Sequence, residues 1–233
     1  MRTAVYMGTR NVYGDMETAL KSLLYHTKVD RVYLLIEDDT FPADLPDNVV
    51  TVNVSGQTFF RKDGPNYSSP WTYMVLMRAA LTKILEEDLV LSLDVDTIVM
   101  EDIGELWELP IENCHLAGAT EPRKAGFPQP YINFGVLLMN LKKLQEVDDR
   151  IIHSLNTEYT FANEQDVMNR MCDVLTIPSA YNACDYTEHC ARPKIVHFAG
   201  IGENFPWSRK RWQDEPLVKK YRAMSWEDVC RNT

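Results

Sequence analysis

Two aspartates at the end of an apolar run are the residues of this chain best placed to do chemistry. Leu89-Val90-Leu91-Ser92-Leu93 reads as a buried strand, and Asp94-Val95-Asp96 follows it directly, ahead of Thr97-Ile98-Val99. Carboxylates are costly in a packed core, so the pair marks where the chain emerges into a cleft. If the strand continues to Asp96, its alternation puts Asp94 and Asp96 on one side. Two hard oxygen donors at a strand's carboxyl end suit a divalent cation that also holds phosphates. A solvated turn is the competing reading, since Asp favours turns too.

The elements that must position this pair can be read in order. Residues 3–7 predict a first strand and 8–11 a loop. Met16, Ala19, Leu20, Leu23 and Leu24 then have the spacing of an amphipathic helix. Arg31 to Ile36 predicts a second strand, ended by Glu37-Asp38-Asp39, and Val49 to Val54 a third. Gln57 to Pro70 is polar and turn-rich, whereas Trp71 to Leu85 is apolar almost all round and predicts a helix buried on several sides. After the aspartate strand, 115–119 and 134–140 predict strands, with a proline-rich stretch over 122–130 between them. Residues 141–155 and 164–172 predict helices, each preceded by an asparagine able to cap it, Asn140 and Asn163. A last strand over 195–198 precedes a basic, aromatic tail. Strands alternating with helices predict an α/β fold whose mostly parallel central sheet is flanked by helices, with ligands at its carboxyl ends. One domain over 1–233 is expected, with a first half over 1–100, a second over 101–207 and the tail over 208–233.

A length of 233 residues with 45% hydrophobic and 25% charged content describes a globular chain. The formal net charge of -10 argues against a general nucleic-acid surface, and an acidic protein that handles phosphate must neutralise it locally. The five cysteines fit no zinc spacing, and their dispersal favours reduced thiols and a cytoplasmic setting, with action at a membrane periphery left open. No segment has the roughly 20 apolar residues that span a bilayer.

Four segments, in order, resemble the retaining sugar transferases of glycosyltransferase family 8, which includes glycogenin and bacterial galactosyl- and glucosyltransferases. Leu93 to Val99 resembles the family's aspartate motif, and Tyr131 to Leu141, with Asn133-Phe134-Gly135 in it, its Asn-Ser-Gly strand. Phe161 to Asn169 resembles its Asp-Gln helix, and Val196-His197-Phe198-Ala199-Gly200 the start of its His-x-x-Gly-x-x-Lys-Pro-Trp motif. The resemblance implies a GT-A fold (a Rossmann-like nucleotide-diphospho-sugar transferase), a nucleotide-sugar donor, mostly UDP-linked, and Mn²⁺ or Mg²⁺ held by Asp94, Asp96 and His197. Two oxygens and an imidazole suit Mn²⁺ better than Mg²⁺.

The same resemblance distributes further roles. Thr9, Asn11 and Tyr13 fall in the loop after the first strand, where Tyr13 is expected on the uracil ring; Arg10 and Asn11 depart from the family's usual Asn and Asp. Arg78 is expected near the nucleotide phosphate or the acidic cluster, since a charge in so apolar a segment needs a partner. Val95 and Gly200 accompany the donor contacts. Asn133, Gly135, Asp166 and Glu121 are expected at the sugar, and Gln165 beside the anomeric carbon with Glu164 next to it. An amide there positions and stabilises by its dipole, not as a base. The family's Lys is absent: Phe205 precedes Pro206-Trp207, which lie two residues further from His197 than in the family, leaving Arg209, Lys210 or Arg211 to reach the diphosphate, or nothing.

The expected activity is transfer of a hexose, glucose or galactose, from a UDP-sugar to a hydroxyl acceptor, which is a sugar, a lipid-linked glycan or a protein. The rivals are a haloacid-dehalogenase-like phosphatase using Asp94 and Asp96, a sugar-nucleotide pyrophosphorylase, and a non-catalytic nucleotide-sugar binder. The phosphatase family places Thr or Val where Ile98 stands, and the pyrophosphorylase needs a glycine-rich triphosphate loop that is missing here.

Overall fold

The computed structural model describes residues 1–122, 126–200 and 208–231. A seven-stranded sheet runs through it in the order β3-β2-β1-β4-β7-β6-β8. β1 (Thr3–Met7), β2 (Arg31–Ile36), β3 (Val49–Asn53) and β4 (Leu89–Leu93) are mutually parallel. β5 (Thr97–Val99) leaves this sheet, and β6 (Leu116–Thr120) returns to it. β7 (Ile132–Asn140) runs antiparallel to both β4 and β6, and β8 (Val174–Ile177) pairs parallel with β6.

Alternation along the central strands explains why both faces are covered. Ala4, Tyr6, Leu91 and Leu93 enter one apolar cluster, with Leu20 and Leu23 of α1 (Tyr13–His26). Val5, Met7 and Val90 enter the other, beneath Met77, Phe134 and Met139. The expected helix over 71–85 is instead a 3-10 helix, Tyr73–Ala80, continued by a single α-turn, α2 (Leu81–Ile84). Side chains that are apolar almost all round leave only a weak stripe to fix a period, so composition does not select 3.6 residues per turn over 3.0.

The helix expected over 141–155 is two, α3 (Leu141–Leu144) and α4 (Asp148–Thr157). Asn140 caps α3 as expected, accepting from the Lys143 amide at 3.1 Å. Asn163 does not cap its helix. It is the first residue of α5 (Asn163–Met171), with φ 46, and its side chain donates to Ser69 Oγ at 2.8 Å.

β5 pairs antiparallel with β9 (Ile195–His197) in a small second sheet. The segment expected as a tail folds back over α1 as α6 (Pro216–Ala223) and α7 (Trp226–Cys230). Trp212, Val218 and Tyr221 bury themselves there against Ile98, Val196 and Phe198. Among the described residues no helix is long and apolar enough to cross a membrane.

Candidate active site

The aspartate pair sits where two sheets part. β4 stops at Leu93, so Asp94 and Asp96 share a side through a turn, not through strand alternation. The Thr97 hydroxyl and amide both donate to the Asp94 carbonyl, at 2.7 and 3.3 Å, and tighten that turn. β5 then pairs with β9 so that Thr97 faces His197, and the Phe198 amide donates to the Asp96 carbonyl at 2.9 Å. This pairing carries His197, a hundred residues away in sequence, to the aspartates. Its Nε2 lies 3.6 Å from Asp94 Oδ2 and 3.4 Å from Asp96 Oδ1. One ligand atom from each of the three falls within 4.8 Å of the others, a set able to hold a metal ion.

Backbone donors fix the orientation of the imidazole. The Gly135 amide can only donate, so the Asn133 atom facing it at 3.0 Å is Oδ1. The Asn182 atom 2.8 Å from that oxygen is then Nδ2, which turns Asn182 Oδ1 toward His197 Nδ1 at 3.0 Å. Nδ1 therefore carries a proton, and Nε2 is the nitrogen left for a metal. Gly135 leaves the ring its space: a Cβ there would lie 2.0 Å from His197 Cε1.

Electrostatics follow from the same contacts. Burial works against a charged His197, but Asp96 and Cys184 outweigh it and hold the imidazole well above its ordinary value. Burial likewise opposes ionisation of Asp96, yet His197 and Arg209 keep its carboxyl below the usual range.

Arg78, only 3% exposed, meets the acidic cluster rather than open space. Its Nη2 donates to Asp94 Oδ1 at 2.5 Å, Nη1 to Glu164 Oε1 at 2.6 Å and Nε to Ser92 Oγ at 3.1 Å. Burial pushes the Glu164 carboxyl up to about 7 despite Arg78, with Asp94 adding to the rise.

Gln165, Glu121, Asn133 and Gly135 come together on the wall of one cavity of about 780 Å³, with Glu164 and the aspartate–histidine set. Gln165 Oε1 accepts from the Phe134 amide at 2.9 Å, so Nε2 is the end that meets Glu121 Oε2 at 3.2 Å and the Tyr131 hydroxyl at 3.0 Å. Asn133 donates to the same Glu121 oxygen at 2.7 Å, which links the Gln165 amide to the imidazole through Asn133 and Asn182.

Other expected residues lie off this wall. Asp166 is buried, accepting from the Tyr131 hydroxyl at 2.6 Å and the Ala162 amide at 2.8 Å. Thr9 bonds Asn11. Tyr13 is buried, its ring 5.2 Å from that of Phe41 and its hydroxyl held by the Glu37 amide and by Asp38. Val95 packs near Gly8, and Gly200 pairs with Ser208. Phe205, Pro206 and Trp207 lie outside the described residues. Asn182 went unnoticed in the sequence, since a lone asparagine in a loop carries no signal.

The glycosyl transferase family 8 model matches residues 16–211. Glycosyltransferase GlyD of Streptococcus pneumoniae serotype 4 is 27% identical over 97% of this chain, and glycosyltransferase GlyF of that organism is 26% identical over 99%. The chain spans 30% of the length of GlyD and 64% of that of GlyF. Among solved structures, glycosyltransferase GlyE of S. pneumoniae superposes with a TM-score of 0.72 at 23% identity, over 99% of this chain and 62% of that one. The galactosyltransferase LgtC, solved with donor and acceptor sugar analogues, superposes with a TM-score of 0.68 at 21% identity, over 97% and 98%. These neighbours share the GT-A fold. With a match that runs from the first helix to the segment beyond Gly200, this chain belongs to glycosyl transferase family 8.

Proposed function

We propose that this domain is a retaining, metal-dependent transferase that moves a hexose, glucose or galactose, from a UDP-sugar to a hydroxyl acceptor. The observation that carries the reading is the convergence of Asp94, Asp96 and His197 on the wall that also bears Gln165 and Glu121. The mixed oxygen and nitrogen set favours Mn²⁺, with Mg²⁺ second, and the bound ion would neutralise charge on the departing nucleoside diphosphate.

The chain's own residues do the rest. Asn182 holds the imidazole with Nε2 forward. Arg78 clamps Asp94 from behind and ties it to Glu164, so the aspartate keeps its direction when the donor leaves. Gln165 and Asn133, locked by backbone amides and by Glu121, present fixed dipoles to the sugar. Asp166 and Tyr131 hold the start of α5 that carries Gln165. Thr9, Asn11, Tyr13, Val95 and Gly200 are assigned to the nucleoside side, with Tyr13 shaping the base site through Phe41 and Asp38 rather than by an open ring face. The acceptor is a sugar, lipid-linked glycan or protein hydroxyl, and the setting is cytoplasmic, at a membrane periphery where the acceptor is lipid-linked.

The test is release of nucleoside diphosphate from UDP- and GDP-hexoses with and without Mn²⁺. Manganese-dependent release of UDP that Asp96→Asn abolishes, with the fold kept intact by circular dichroism, is the expected result. Release of inorganic phosphate instead, or no turnover of any nucleotide sugar, overturns it.

A further inference from the structure

The cavity also carries aromatic side chains that neither the metal set nor the amides around Gln165 use. Among the described residues the exposed aromatic side chains are Trp71, Tyr159, Phe161 and Tyr186, and all but Tyr159 line this cavity. Trp71 is 52% exposed and Phe161 69%, and their rings meet edge to face with 6.4 Å between centroids. Large apolar rings left open to water on a concave wall mark a binding surface rather than a packing one.

Both rings sit on backbone that is bonded into register with the reaction centre. Asn66, fully buried, donates through Nδ2 to the Leu155 and Glu158 carbonyls at 2.8 Å each and accepts from the Thr160 amide at 3.1 Å. Asn163 Nδ2 donates to Ser69 Oγ at 2.8 Å, so the stretch before Trp71 is laced to both sides of Phe161. Helix α5, which carries Gln165, begins at Asn163, just past that ring. Among the described residues the non-glycine positions with positive φ are Thr72 (φ 63, ψ 172) and Asn163 (φ 46), one beside each ring. A β-branched threonine there is strained, and such strain persists where the surroundings impose a functional geometry. The turn at Thr72 also separates two directions. Tyr73 beyond it donates to Glu37 at 3.1 Å, the residue whose amide holds Tyr13, whereas Trp71 before it meets Phe161.

We propose that Trp71 and Phe161 form a platform for the terminal pyranose of an acceptor glycan; this rests on the reading of the cavity as a nucleotide-sugar site. A pyranose presents C–H bonds on its faces and hydroxyls round its edge. It therefore stacks on the electron-rich face of an aromatic ring and leaves its hydroxyls to polar neighbours. Glu121, Glu164 and Gln165 supply polar neighbours on the same wall. Polar residues bound the platform, Ser68 and Ser69 ahead of Trp71 and Thr160 ahead of Phe161, where an acyl chain would need a long apolar groove. Neither segment is a strand, so neither offers the open sheet edge with which an extended peptide pairs.

Saturation-transfer NMR and calorimetry with cellobiose, lactose, maltose and di-N-acetylchitobiose, on the protein loaded with UDP and Mn²⁺, test this. At least one of these sugars is expected to bind, with the C–H protons of one ring most strongly saturated. Trp71→Ala and Phe161→Ala should each weaken that sugar by about fivefold or more and UDP by less than about twofold. Both side chains are exposed, so the melting curves should stay in place, and Trp71→Phe should recover most of the affinity that Trp71→Ala loses. Sugar affinity that is unchanged in both alanine variants, or no saturation of any of these sugars, overturns the platform. A loss of UDP affinity equal to the loss for the sugar assigns the rings to the base and overturns it too, as does a serine- and threonine-rich peptide that binds where every sugar fails. Failure of the unmodified protein to bind UDP with Mn²⁺ overturns the transferase reading itself.

Discussion

Gly135→Ala gives the sharpest test of how the metal set is built, because the structure fixes both sign and mechanism. The new Cβ would sit 2.0 Å from His197 Cε1, 2.1 Å from Nδ1 and 2.8 Å from Nε2. Ordinary contact begins near 3.4 Å, so the ring must withdraw by more than an ångström. His197 is 3% exposed, lies in β9 and is tied to Asn182, so withdrawal means leaving the site rather than tilting within it. Overpacking of this kind costs about 1–3 kcal/mol, to which the lost Asn182 bond adds about 1 kcal/mol. For a domain of this size that is a fall of several degrees in melting temperature, at roughly 2–4 °C per kcal/mol. Removing the imidazole should lower Mn²⁺ affinity by more than the roughly 10–100-fold typical of losing an outer partner. Gly14→Ala is the matched control: in α1, with nothing within 4 Å of its added Cβ, it should stabilise by about 0.5–1 kcal/mol. Calorimetry with Mn²⁺ and thermal melts on both variants read these effects. Unaltered Mn²⁺ affinity in Gly135→Ala would refute the reasoning, because His197 would then not be a ligand.

Arg78→Ala should destabilise by about 3–5 kcal/mol, since it leaves Glu164 and Asp94 uncompensated, and urea unfolding measures the loss. Asn182→Ala should reduce Mn²⁺ affinity roughly 10–100-fold with little change in fold, as followed by calorimetry and circular dichroism. In the metal-free protein Glu164 titrates near 7 rather than at its ordinary 4.5. A raised carboxyl favours the folded state most fully below pH 4.5 and loses that contribution as pH rises through about 7. His197, raised above 6.5, acts with the same sign at higher pH. Glu164→Gln should therefore gain stability relative to the unmodified protein between pH 5 and 8, in denaturant titrations with chelator present; a gap that narrows with pH would contradict the assignment.

Much of the fold was legible because burial imposes simple periods. β1, β2 and β4 fell within a residue of expectation, since each strand buries side chains on both faces and reads as a mostly apolar run, broken only by Thr3, Arg31 and Ser92. The segment around Arg78 read correctly as buried but wrongly as α-helical, because a stretch apolar almost all round does little to set the pitch. The C-terminal helices were missed because their buried side chains, Val218, Tyr221 and Val229, are dispersed among charged residues, while Trp212 ahead of them is anchored by Asp15, far away in sequence. At the site, Asp94, Asp96 and His197 were named from motifs, and β5–β9 pairing brings them together. The asparagine relay was invisible, since hydrogen-bond partners over such separations leave no pattern in one sequence. Tyr13 is read from its type and place as a base-stacking residue, and the structure adds what the sequence does not show: its ring packs against Phe41 and its hydroxyl is held by the Glu37 amide and Asp38.

The measurement that most directly probes the metal set is pulsed electron paramagnetic resonance of Mn²⁺ bound to this protein. One imidazole nitrogen coupled to the ion is expected, lost in His197→Ala, with binding itself weakened in Asp94→Asn and Asp96→Asn. An ion that shows no nitrogen coupling, or that binds equally well in all three variants, would contradict the account.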